Sequence, residues 1–488
     1  MTSLLHEACE WASSLTIDAI PLDVRRLAIA QALSAAGARA ATRRHPVHER
    51  LERAVDGSGW PVLAASDALL TMALDFDETA FAGHLGHAVT AVAMRSGVEA
   101  GATGERVLVA MVAASEIAAR LTASVTLGIS RGQTAAHTHA VAATIAAGLV
   151  LGLSVEELTT AISRVIAQPH QLPLSDFMGS DAKFWVAAHP ILDAAKAVRV
   201  AGDGPGGPAS VLEAPGGFFE TLSDVPLPQA FSGYGERWHL RTLSVKPVPG
   251  CAYLTAAVEA AASLGPLPLE EVESVTVAAS IFTLGMEAES ASFIDGPRSP
   301  LPALSFCTGY NVAAALARGG LDVHDLHGAD LADPARWRVA RLVRLEHDSA
   351  LSLRALSGTA PVGAAIAWAG ARALPYLVSR GAPPDLAQAV LDEARRENPG
   401  DLAANSKRVG ARLRVTLRDG SVLEAGRDSA SGSCQESVDA RVDLASAKLR
   451  RQLAAGGVPT GEIQARVDSH LALETLTSSA LLALVAAG

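Results

Sequence analysis

Through its first 200 residues the chain reads as helix after helix, with no stretch that alternates apolar and polar residues with period two. That pattern excludes a sheet-based core for this half of the protein. "PLDVRRLAIAQALSAAGARA" opens at Pro21, whose missing N–H costs nothing in a first helical turn. "GERVLVAMVAASEIAARL", residues 104–121, predicts another helix, and Ser154 with Glu157 forms an S-x-x-E capping box before a further one. Hydrophobic residues make up 49% of the 488, but aromatics only 4%. Ala, Leu and Val must therefore fill the core, which favours closely packed helices. Residues 132–155 carry no Asp, Glu, Lys or Arg and are long enough to cross a bilayer. Their Ala, Gly and Thr content and two histidines predict a buried central helix and no membrane span.

The period changes after about residue 265. "VESVTVAASIF", 272–282, alternates like a half-buried strand with Val275, Val277, Ala279 and Ile281 on one face, and "RLVRLEH", 341–347, alternates again. "ARLRVTLRDGSVLEAG", 411–426, predicts a hairpin turning at Asp419-Gly420. Helical stretches such as 362–379 lie between, and from about 438 the helical pattern returns. The expected fold is mainly α: a large all-helical domain from both chain ends (1–265 and 438–488) and a smaller α+β lid domain (266–437). The Pro/Gly-rich stretch 202–217 reads as a loop.

Charge and cysteine usage remove several function classes. Net charge is −11, and no Lys/Arg cluster is long enough for a nucleic-acid footprint. Cys9, Cys251, Cys307 and Cys434 are scattered without a C-x-x-C pair, which fits a reducing cytosol and argues against disulfides, a structural zinc site or an iron–sulfur cluster. The opening "MTSLLHEACEWASSL" has acids where a signal peptide needs a basic region. The expected location is cytoplasmic.

The stretch most loaded with chemistry is "DFDETAFAGHLGHAVTAVA", 75–93. His84 and His87 stand at i, i+3, which in a helix places them on one face, with Asp75 or Asp77 to complete a metal site. No third His or Cys stands at a characteristic ligand spacing, so acid–base work by one histidine and one aspartate is the more economical reading. A solvated loop before a helix is the alternative. Only five of 40 Lys plus Arg are lysines: Lys183, Lys196, Lys246, Lys407 and Lys448. Lys183 and Lys246 each precede a helical segment, where an ammonium and free N–H groups together favour an anion. Exposed surface lysines would have the same local sequence.

Five motifs in order resemble the MmgE/PrpD family, which includes 2-methylcitrate dehydratase and cis-aconitate decarboxylase. Asp75, Asp77, Glu78 and Thr79 resemble its D-x-D-D-T, and His84 and Gly86 its H-P-G, with Leu85 in place of the proline. "MGSDAKFWVAAHPILDAAKAV" resembles G-x-x-x-K before a helix, with Lys183 as the lysine. "VLEAPGGF" resembles a V-L-E-G-x-x-G-F turn, "KPVPGCAYLTAAVEAA" a K-P-Y-P-C-C motif carrying Lys246, and "LSFCTGYNVAAALARGG" a segment carrying Tyr310. The resemblance spans about 20 to 450.

The resemblance implies a homodimer with a cleft between helical domain and lid. In that cleft Asp75, His84, Lys183 and Tyr310 would be catalytic, and Thr79, Lys246, Gln133, His137 and His139 would bind substrate. It implies no metal and no organic cofactor. The departures are informative. The family's second histidine falls on Gln133, with His137 and His139 nearby as replacements. A histidine usual after the lysine–proline motif is Thr255, and Pro190-Ile191 with His189 replace a pair of alanines. The pocket is thus reshaped, toward a specialised substrate such as a secondary metabolite. The expected function is a lyase, a dehydratase of a β-hydroxy (di)carboxylate. A decarboxylase, an epimerase or a degenerate non-catalytic member are the alternatives.

Overall fold

The computed structural model describes residues 3–487 except 129–130, 132–133, 168–172, 399, 401 and 403. The molecule is mainly α with a small α+β part. The helices Leu22–Thr42, Trp60–Met72, Gly86–Glu99, Gly104–Val125, Ala135–Leu151 and Ala182–Arg199 pack into one body. Its core is chiefly alanine, leucine and valine, as the scarcity of aromatics requires. Both ends of the chain contribute to this body: the late helix Val438–Ala455 lies along Leu22–Thr42. Gly37 lets them approach, since a Cβ there would stand 2.9 Å from Cγ of Lys448.

Local signals behave as their chemistry requires. Ser154 and Glu157 cap reciprocally, with Ser154 N–H donating to Glu157 Oε2 at 2.8 Å and Glu157 N–H to Ser154 Oγ at 3.2 Å. Pro21 stands immediately before the helix Leu22–Thr42. The apolar helix Ala135–Leu151 is buried almost throughout. The helix Gly104–Val125 is long and apolar enough to cross a membrane, but 94% of its apolar window is buried inside the body. All four cysteines are free and buried.

The α+β part is built on a four-stranded sheet in the order Val343–His347, Val272–Ala279, Ala411–Leu417, Val422–Arg427. The first pair is parallel and the other two antiparallel. The hairpin turns at Asp419-Gly420, where Gly420 has φ +85°, a conformation glycine adopts without steric cost. Val275, Val277 and Ala279 are buried on one face against Thr255–Leu264, Thr308–Arg318 and Pro334–Leu342. Ile281 departs from the expected strand: it begins the helix Ile281–Ser290 and is 47% exposed. The strand ends where its parallel partner does, at the Ala279–His347 pairing.

Candidate active site

The segment after Trp60–Met72 carries the acids of the site. Asp75 has φ +49°, the left-handed region that Asp tolerates better than most residues. Three residues later a ladder of only two pairs, Glu78 with Val245 and Thr79 with Ser244, joins this segment to Ser244–Val245. It delivers the next residue, Lys246, to Asp75: Nζ donates to Asp75 Oδ1 at 2.5 Å and to its carbonyl at 2.6 Å. Lys183, in the first turn of Ala182–Arg199, donates to the other oxygen, Oδ2, at 2.7 Å. Three residues distant in sequence thus form one buried ion group. Burial by itself would raise the Asp75 carboxyl, but Lys183 and Lys246 override it and hold the group below the usual range. Burial lowers Lys246 less than Asp75 and Asp77 raise it, so it stays charged.

Asp77 is the histidine partner. Its Oδ2 accepts from His84 Nδ1 at 2.6 Å and lies 3.0 Å from His87 Nε2, whereas Asp75 is 4.0 Å from His84. Burial opposes ionisation of Asp77, but His84, His87 and Lys246 outweigh it and keep the carboxylate charged. His84 is the open member: its side chain is 32% exposed, while Asp75, Asp77 and His87 are at 5% or less. With Nδ1–H donated to Asp77, Nε2 carries the lone pair. Burial lowers the His84 pKa below 6.5, against the pull of Asp77. The ring is a neutral base at pH 7.

Behind these lies His139, fully buried, with Nε2 3.3 Å from His87 Nδ1 and 2.9 Å from the His84 carbonyl. Burial pushes its pKa down to about 3. It supports the two histidines, and the expectation that it contacts substrate is corrected: it has no exposed surface. His137 is corrected too. It packs edge-on against Phe218, 5.1 Å between ring centres, away from the cluster. Gln133 lies outside the described residues. Tyr310 is the largest correction. It is buried inside the α+β part, stacked on Trp337, with its hydroxyl donating to the Asp325 carbonyl. An aromatic in an aromatic-poor core is drawn inward by packing, and its hydroxyl takes a backbone acceptor there.

Sequence reasoning undervalued Asp77 and His87 and gave no role to Lys407 and Lys448. Four of the five lysines are buried and converge on residues 75–79. Lys407 Nζ donates to Thr79 Oγ1 at 2.6 Å. Lys448 Nζ donates to the Phe76 carbonyl and to Ser34 Oγ. Only Lys196 is a surface lysine, 73% exposed. The rarity of lysine was the available signal.

Asp77, His84 and His87 also have ligand atoms within 4.8 Å of one another, close enough to share a divalent ion, as do His324, Asp325 and Asp330. The first trio faces Lys246, whose Nζ is 3.5 Å from Asp77 Oδ1; the second is occupied by Arg336, 2.9 Å from Asp325 and 3.0 Å from Asp330. A cation so near competes with a metal ion for the same carboxylates.

Residues 6–229 match the family model for the MmgE/PrpD N-terminal domain. No curated protein matches the chain. The matched region holds Asp75, Asp77, Thr79, His84 and Lys183; Lys246 lies beyond it.

Proposed function

The chain belongs to the MmgE/PrpD family, and on that premise we propose that it is a cofactor-independent lyase, a dehydratase of a β-hydroxy carboxylate. The family includes dehydratases, so a general dehydratase-like role has that support. The observation that carries the reading is the pair of contacts at Asp77 and the openness of His84. A buried carboxylate 2.6 Å from Nδ1 sets the tautomer, and a partly exposed ring offers Nε2 as base.

In the proposed reaction Nε2 removes the proton α to the substrate carboxylate. Negative charge develops on that carboxylate, and the ammonium groups of Lys183 and Lys246 offset it. The Cα–H pair becomes the double bond, and the β-hydroxyl leaves. The proton taken by His84 is the one the departing hydroxide needs, so water and an α,β-unsaturated carboxylate are the products. Routing the proton this way replaces Tyr310, whose hydroxyl is engaged elsewhere. Decarboxylation or epimerisation would use the same base without loss of water. A specialised, secondary-metabolite substrate and a homodimer belong to the same proposal.

The test is turnover. A panel of 3-hydroxy acids followed by absorbance of the unsaturated product should yield a substrate, and His84→Ala should reduce kcat by about 10² to 10⁴ with little change in binding. Unchanged turnover in His84→Ala on a confirmed substrate would overturn the reading.

A further inference from the structure

Lys183 and Lys246 share Asp75, and Lys246 also faces Asp77. Each therefore has a buried carboxylate partner before any substrate arrives. Lys407 differs. Its residue is 6% exposed, and among the described residues no carboxylate lies within ion-pair distance of it. Its partner is the neutral Thr79 hydroxyl, and the ring of Tyr253 lies 6.0 Å away. A buried ammonium without an anion is costly, and burial accordingly lowers this lysine to about 8. The space beside it is a small pocket lined by Thr79, Lys246, Thr255, Lys407 and Ser431 among others. Thr79 accepts from Lys407, which leaves its hydroxyl hydrogen free for an acceptor in the pocket. The Lys407 ammonium and the Thr79 hydroxyl are therefore donors on this pocket that face no anionic acceptor among the described residues, beside the already paired ammonium of Lys246. The pocket also joins two parts of the fold: Lys407 and Ser431 come from the α+β side, Thr79 and Lys246 from the paired segments at Asp75.

Resting on the function proposed above, we infer that this pocket is a second oxyanion subsite, which receives a negatively charged group of the substrate remote from the carbon that His84 deprotonates, with Lys407 as the residue that selects for it. The group is a carboxylate or a phosphoryl oxygen set; both present the same acceptors to an ammonium and hydroxyls.

The experiment is calorimetric titration of the full-length protein with propionate, succinate, 3-phosphonopropionate and inorganic phosphate. At least one of the two organic dianions should bind about tenfold or more tightly than propionate, the worth of one charge-assisted contact. Which of them does so identifies the group. Lys407→Met should erase that preference and leave propionate binding unchanged, while Lys407→Arg should keep most of it. Lys407→Gln is the second neutral variant, should Lys407→Met fail to fold. Equal binding of propionate and both dianions to the wild-type protein would overturn the inference, as would a preference that survives loss of the ammonium. Lys407-dependent binding of inorganic phosphate without preference for an organic dianion would overturn it as well. Each of these results leaves the role of His84 untouched, since that role is read from turnover of His84→Ala and not from this binding.

Discussion

Asp75 receives two lysines and Asp77 receives two histidines, although one residue separates them. The difference predicts different consequences for the same isosteric change. Asp75→Asn leaves two buried ammonium groups without their carboxylate and should cost about 3–5 kcal/mol of stability, the usual loss on breaking a buried ion group. Asp77→Asn leaves that group standing but removes the charge that holds His84 in its tautomer. It should lower kcat by about 10² or more with a smaller change in melting temperature. Denaturant titration and turnover of the two variants separate the roles; equal losses in both measurements for both variants would sink the assignment. The pH profile belongs to the same residue. Burial lowers His84 from 6.5, so the base form persists below that pH. The acid limb of kcat/KM should therefore fall below pH 6.5.

At the scale of elements, the site depends on close contacts that only small residues permit. Gly86 begins Gly86–Glu99, and a Cβ built there would stand 1.8 Å from Oε1 of Glu78. Glu78 is buried within the two-pair ladder, and burial and Asp77 raise its carboxyl to about 7. Gly86→Ala would push Glu78 and the ladder apart, at a cost of about 1–3 kcal/mol, and would shift Lys246 with it. Gly285 is the contrast. It lies inside Ile281–Ser290, and among the described residues outside its own helix nothing stands within 4 Å of a Cβ built on it. Gly285→Ala should stabilise the protein by about 0.5–1 kcal/mol through helix propensity alone. Melting temperatures of the two variants should move in opposite directions; a loss at Gly285 as large as at Gly86 would contradict the packing argument.

For the whole molecule, acid sensitivity should begin with buried histidines. Burial lowers His45, His137 and His470 to about 4 and His139 to about 3. Between these values and 6.5 the unfolded chain binds protons that the folded chain does not. Their stabilisation is present above pH 6.5 and is lost as pH falls through that window. Asp75 and Asp77, held below the usual carboxylate range, keep their contribution until pH drops under 3.8. The melting temperature should fall steadily from pH 7 to 5, and His137→Leu should flatten the slope, because the His137 ring makes no hydrogen bond among the described residues. A flat profile would refute this. The sequence by itself determined what depends on neighbours along the chain. That includes the capping box at Ser154, the buried face of Val275 and Val277, the turn at Asp419-Gly420, and the helical body that alanine and leucine dictate. The order of family motifs also brought Asp75, His84, Lys183 and Lys246 forward. Tertiary structure alone decided which aspartate serves His84, since two residues of one segment differ only in what packs against them. It alone placed Tyr310 inside the α+β core and His139 behind the site, because their spacing along the chain says nothing of depth. It alone drew Lys407 and Lys448 to residues 75–79 across more than 300 positions, through a two-pair ladder too short for any periodicity and through packing of Val438–Ala455 on Leu22–Thr42.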